Sequence, residues 1–158
     1  MTHLETERIR LQLQSPEDVL KWVDELPPEH QAEVSPEWLA RVRAAHTPDP
    51  WCCMFEIKER TGDSIVGVCG FKAPPQHGSV EIAYMIHEPF QRQGFATEAT
   101  GSLVHFAFGW PGVNNVCAHT PMEHFASQRV LEKNGFECSG PIDHPEDGRV
   151  LRWDISLG

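Results

Sequence analysis

Positive charge is scarce in this 158-residue sequence: 13 Lys and Arg stand against 23 Asp and Glu, a formal net charge of -10. No basic stripe offsets that total, which argues against a nucleic-acid partner. Long apolar runs are also missing. None approaches the roughly 20 residues of a membrane span, and the opening MTHLETERIR lacks the apolar core of a signal peptide, so a cytoplasmic protein with no membrane partner is expected. The five cysteines (Cys52, Cys53, Cys69, Cys117, Cys138) are odd in number and form no CxxC pair, which favours reduced, mostly buried thiols. Nine histidines are scattered without HExxH or paired Cys/His spacing, so no metal is expected. GxGxxG and GxxxxGK[ST] are both absent, which removes the main signatures of dinucleotide and nucleotide-hydrolase sites. There is no linker, repeat or low-complexity tract, and one domain over residues 1–158 is the simplest organisation.

What is present alternates strands with helices. ERIRLQLQ (7–14) places Ile9, Leu11 and Leu13 at the period of a half-buried strand. Ser15-Pro16-Glu17 and Ser35-Pro36-Glu37 each read as an N-cap serine, a proline at the first helical position and an acid near the positive end of the dipole. Pro27-Pro28 separates those two helices. Strands are predicted over 51–59 and 64–72, joined by a hairpin at Arg60-Thr61-Gly62-Asp63, and over 79–86, 114–120 and 149–157. Helical spacing covers 94–108, with Ala96, Ala99, Leu103, Phe106 and Ala107 on one side. A further helix over 125–136 ends with Gly135 at the left-handed C′ position and Phe136 packing back on Leu131. The fold class is α/β with a mixed sheet, because hairpins precede two crossover helices.

The one stretch that concentrates chemistry is QRQGFATEA (91–99). A strand, a short loop and a Gly-opened helix leave the first helical amides unpaired, and the dipole adds roughly half a positive charge. Such a helix start holds anions, phosphate above all. Gly94 allows close approach to the backbone, Ala96 does not block it, Thr97 offers a hydroxyl and Arg92 supplies a full positive charge.

QRQGFA matches the [QR]-x-x-G-x-[GA] loop of the GNAT N-acetyltransferase superfamily, which holds the pyrophosphate of acetyl-CoA. LETERIRL (4–11), VEIAYMI (80–86), QGFATEA (93–99) and ASQRVLEKNGF (126–136) resemble, in order, the motifs of its RimJ/RimL-like branch. The resemblance implies a single-domain fold with a mixed, mostly antiparallel twisted sheet of about six to seven strands and about four helices. The sheet would splay between 79–86 and 114–120. It implies acetyl transfer from acetyl-CoA, without a metal, to a primary amine in a ternary complex. The acceptor would be a protein N-terminal α-amine or a small-molecule amine. A homodimer is common among such relatives.

The implied cofactor residues are Ile86 and His87 on the pantetheine arm, Gln91, Arg92, Gln93, Gly94, Phe95, Ala96 and Thr97 in the loop, and His124 and Ser127 further on. The implied catalytic groups are Glu81 as base, the Met85 backbone N–H as oxyanion donor, and Ser127 as proton donor to the thiolate. His119 is the second choice for the base. Two departures stand out: Leu131 occupies the position of a tyrosine acid, and His124 that of an asparagine. They leave a CoA-binding module with little turnover as the alternative function.

Overall fold

A computed structural model describes residues 3–145 and 147–157. The sheet has eight strands: β1 (His3–Glu5), β2 (Ile9–Leu13), β3 (Phe55–Glu59), β4 (Ile65–Phe71), β5 (Ser79–Ile86), β6 (Asn115–Pro121), β7 (Glu137–His144) and β8 (Gly148–Ser156). Their spatial order is β1-β2-β3-β4-β5-β6-β8-β7. Five helices accompany them: α1 (Pro16–Asp24), α2 (Pro28–Gln31), α3 (Pro36–Ala44), α4 (Phe95–Phe108) and α5 (Phe125–Lys133). The expected class holds, with more elements than expected. β7 escaped because most of its side chains are exposed and Gly140 and Pro141 break any alternation; it is a sheet edge, where such residues are tolerated. Pro28 opens α2 rather than merely separating its neighbours.

Local rules account for the rest. Ser15 accepts from the Asp18 amide at 3.1 Å and Ser35 from the Trp38 amide at 3.4 Å, so both predicted caps form. Residues 51–54 turn instead of extending, because the Asp49 carboxylate accepts from the Trp51 amide at 2.9 Å and the Asp49 carbonyl accepts from those of Cys52 and Cys53. α5 closes as the sequence suggests: the Phe136 amide reaches the Leu131 carbonyl at 3.0 Å across Gly135, whose φ is 86°.

One core joins Ile9, Leu11, Phe55, Ile57, Phe71 and Ile82 of the sheet to Phe95, Ala99, Leu103 and Ala107 of α4. α4 packs on β2, β4, β5 and β6. Four cysteines are buried in this structure and Cys138 is exposed on β7. Burial pushes the Cys52 thiol up to about 12 and the Cys117 thiol up to about 11, and raises Cys69 as well.

Among the described residues β5 and β6 are the only parallel neighbours, and they pair over Ser79–Glu81 against Asn115–Cys117. Beyond Glu81 the two strands part. On its other edge β5 stays paired with β4 through Ile86. Gly67 opposes Ile86 there so closely that a Cβ would lie 2.1 Å from the Met85 carbonyl oxygen. Gly67→Ala should therefore destabilise the fold by about 2 kcal/mol and displace the parted half of β5. Denaturant unfolding checks the first effect; amide exchange at 82–86 checks the second.

Candidate active site

The parting of β5 from β6 opens a cleft of about 590 Å³ between the N-terminal ends of α4 and α5. Its wall includes Tyr84, Ile86, Gln91, Arg92, Gly94, Ala96, Thr97, His124 and Ser127. Gly94 takes φ +84° and caps α4 with no side-chain bond to the helix amides, which leaves them directed at the cleft. Arg92 is also left-handed, at φ 64°, a conformation costing a non-glycine residue about 1 kcal/mol or more. Two left-handed residues flanking Gln93 turn successive amides inward, the geometry of an anion-binding nest.

Beyond Ser127 and the His124 cap, the sequence reading missed most of what α5 contributes. Ala126, Arg129, Val130 and Lys133 line the same cleft, spaced along one helical face. Arg92, Arg129 and Lys133 thus gather on a wall that has no carboxylate among the described residues. Two expected residues stand elsewhere. The His87 amide is used by the Val66 carbonyl at 2.8 Å. The Gln93 side chain turns to the Pro89 carbonyl, and its own carbonyl accepts from Arg8 Nη1 at 2.9 Å.

Arg8, which the sequence did not single out, braces the loop. Its Nε donates to Glu98 Oε1 at 2.8 Å, its guanidinium carbon sits 4.7 Å from the centre of the Phe95 ring, and a Cβ on Gly94 would lie 3.1 Å from its Nη2. Thr6 donates its hydroxyl to the other oxygen of Glu98. Burial alone would raise the Glu98 pKa, but the Thr6 and Arg8 hydrogen bonds outweigh it and hold the carboxyl below its ordinary value. On the far side, Asn134 Nδ2 donates to the carbonyls of Thr97 at 3.1 Å and Val130 at 2.9 Å, fastening α4 to α5.

A smaller cavity of about 180 Å³ adjoins the cleft and shares Tyr84, His124 and Ser127 with it. Lys72, Glu81 and His119 also line it. Here the two alternative bases are partners: His119 Nδ1 lies 2.8 Å from Glu81 Oε2. Lys72 Nζ is 3.2 Å from the same oxygen, and His144 Nε2 lies 3.7 Å from Oε1. Glu81 Oε2 is thus shared between the His119 ring and the Lys72 side chain. His119 Nε2 is buried and has no hydrogen-bond partner among the described residues. Ligand atoms of Glu81, His119 and His144 lie within 4.8 Å of one another, so the fold gathers two histidines that the sequence scatters. A divalent ion there would face the Lys72 ammonium, which already supplies the positive charge the carboxylate needs.

Leu131 is fully buried and cannot serve the cleft. The hydroxyl expected there arrives from β5 instead, with Tyr84 Oη 2.6 Å from Ser127 Oγ. Burial raises the Tyr84 pKa, against a smaller opposing effect of the Ser127 bond, so the phenol keeps its proton.

The Met85 amide, expected to face the thioester, does not face the parted side. The bonds from the His87 amide to Val66 and from the Lys72 amide to Glu81 set the alternation of the β4–β5 ladder. Met85 is a bonded partner of Val68 in that alternation, so its N–H points into the sheet. The amides of Tyr84 and Ile86 face the parted side. The Ile86 carbonyl on that side is capped by Gln91 Nε2 at 2.9 Å.

The architecture is therefore a mixed sheet parted beside a Gly-capped helix, with a cationic cleft leading into a carboxylate–imidazole cavity. Residues 1–137 match the acetyltransferase (GNAT) domain family, and the chain belongs to that family. It is 34% identical over 87 residues to an uncharacterized N-acetyltransferase of Bacillus subtilis, YoaA, a match covering 54% of this chain and 49% of that one. The matches span about half the length of such curated relatives. Among solved structures it resembles the ribosomal-protein-S5-alanine acetyltransferase of Vibrio fischeri (TM-score 0.73, 14% identity, 99% and 97% of the two chains). It also resembles the aminoglycoside acetyltransferase AAC(6')-Ib in complex with coenzyme A (TM-score 0.65, 18% identity, 94% of each chain).

Backbone and charge are separable in the loop. Arg92→Gly should leave the melting temperature unchanged or higher, since glycine suits the left-handed position, while reducing the upward thermal shift produced by acetyl-CoA. Gly94→Val should abolish the shift. A full shift in both variants would place the ligand elsewhere.

Proposed function

We propose that this chain transfers the acetyl group of acetyl-CoA directly to a primary amine in a ternary complex, as a member of the RimJ/RimL-like branch. The observation that carries this reading is the continuity of two unlike spaces: a cationic, amide-lined cleft suited to pyrophosphate, and an adjoining cavity holding a carboxylate. In this reading the pyrophosphate rests on the amides of 94–97 with Arg92, Arg129 and Lys133 nearby, and the pantetheine arm follows the free edge of β5. The thioester then lies where Tyr84, His124 and Ser127 serve both spaces.

Glu81 takes the amine proton, with His119 Nδ1 and Lys72 Nζ against its Oε2 and His144 Nε2 3.7 Å from its Oε1. The amine attacks the thioester carbonyl, and the N–H of Tyr84 or Ile86 receives the developing oxyanion. Ser127 protonates the departing thiolate and is resupplied by Tyr84, whose burial keeps its proton in place. The Tyr84 hydroxyl answers the absence created by Leu131, which weakens the case for a CoA-binding module with little turnover.

The acceptor is a protein N-terminal α-amine or a small-molecule amine. An α-amine of pKa about 7.8 is about one-seventh neutral at pH 7, whereas a lysine near 10.4 is neutral in well under a thousandth. An α-amine therefore needs less help from a base than a lysine does, which favours the α-amine. Release of free thiol from acetyl-CoA across a panel of N-terminal peptides and small amines tests the activity. Release with at least one acceptor is expected; binding without release from any would leave the binding module standing.

Glu81→Gln should lower kcat/KM at pH 7 and recover much of the loss near pH 9 with an α-amine, and less with a lysine-like acceptor. Wild-type rates across that range would remove Glu81 from the chemistry. Ser127→Ala and Tyr84→Phe should each lower kcat by about tenfold or more with little change in the KM for acetyl-CoA. The double variant should be little worse than either single one, because the two hydroxyls form one chain.

A further inference from the structure

The cavity assigned to the acceptor already contains a primary amine. Lys72 Nζ is 3.2 Å from Glu81 Oε2, the oxygen of the proposed base, and 3.4 Å from Asp147 Oδ2. The lysine is held there by its own strand ladder, since its amide donates to the Glu81 carbonyl at 2.9 Å. It lines the 180 Å³ cavity together with Tyr84 and Ser127, the residues at its junction with the larger cleft. No other lysine is so placed. Lys21 lies on α1, Lys58 pairs with Glu56 on β3, and Lys133 lines the wide cleft near Arg129 but not the smaller cavity.

Resting on the acetyltransferase reading, we infer that Lys72 is a self-acetylation site: acetyl-CoA bound in the cleft acylates Lys72 of the same chain when no external acceptor fills the cavity. Glu81 removes one proton from the Nζ ammonium, and the freed amine attacks the thioester carbonyl carbon. A C–N bond forms and the C–S bond breaks. The thiolate leaves as the second Nζ proton reaches it through Ser127, and the proton on Glu81 passes to solvent, giving Nε-acetyl-Lys72 and free CoA. Acetyl-CoA is the sole co-reactant. The reaction is slow beside that of an α-amine, because the ammonium is stabilised by both Glu81 and Asp147 and a lysine amine is rarely neutral. Its product removes the positive charge facing those two carboxylates and fills the cavity with an amide, so the modified chain acetylates external amines more slowly.

The test is to incubate the purified protein with acetyl-CoA and no acceptor, then follow intact mass and peptide mass. One acetyl group per chain, confined to Lys72, is expected, with a first-order rate constant that does not depend on protein concentration. Lys72→Arg should abolish the adduct while retaining the charge, and Glu81→Gln should slow it by about tenfold or more. Three results would overturn the inference while leaving the enzyme reading intact: an external amine acetylated with Lys72 untouched, equal labelling of all four lysines, or a rate that rises with protein concentration. Failure to acetylate either Lys72 or any external amine would overturn both.

Discussion

The site depends on where two parallel strands stop holding each other. Hydrogen bonding joins β5 to β6 only as far as Glu81 and Cys117; past that point each strand must satisfy its groups elsewhere or leave them open. β5 keeps one edge on β4 and presents the other, at Tyr84 and Ile86, to the space between the helices. Backbone polarity that would cost free energy if buried unpaired becomes the means of gripping a ligand. Gly67 lets the parted half of β5 lie close against β4, and the Asn134 bridge ties α4 to α5.

Charge is distributed by the same geometry. The chain is acidic overall, yet the cleft collects three of its cations, and at physiological salt a screening length of about 8 Å lets those nearby charges dominate what an incoming phosphate feels. Arg8 adds a fourth cation behind the loop, but its hydrogen bonds are committed to Glu98 and Gln93. Its work is to hold the loop's shape.

How much could be read from the residues alone follows from the range of each interaction. The caps at Ser15 and Ser35, the Gly135 closure, β5, α4 and the Gly94 helix start are local, and all were legible. So was the parting of the strands, through resemblance. β7 was not, because an exposed edge strand carries no alternation. Residues 51–54 misled because an Asp49 turn overrides an apolar run. The partnership of Glu81 with His119, and of Ser127 with Tyr84, joins residues 38 and 43 positions apart; spacing reveals neither. The direction of the Met85 amide was hidden for a different reason: resemblance locates a strand, but only the hydrogen-bond parity of the ladder says which amides face out.

The buried cysteines acquire a meaning from this setting. Any protein that handles a thioester risks losing its acyl group to its own sulfur, by exchange between thiolate and thioester. Cys69 stands directly opposite Tyr84 across the β4–β5 ladder, one strand removed from the proposed reaction centre. Exchange needs the thiolate, and burial raises the Cys69 pKa so that the sulfur stays protonated at neutral pH. Cys117, next to β5 at the point of parting, is held in the thiol form in the same way. Cys138, the exposed thiol, lies on the far edge of the sheet with β8 between it and β6. The core thus contains sulfur beside the proposed reaction centre and keeps it chemically silent.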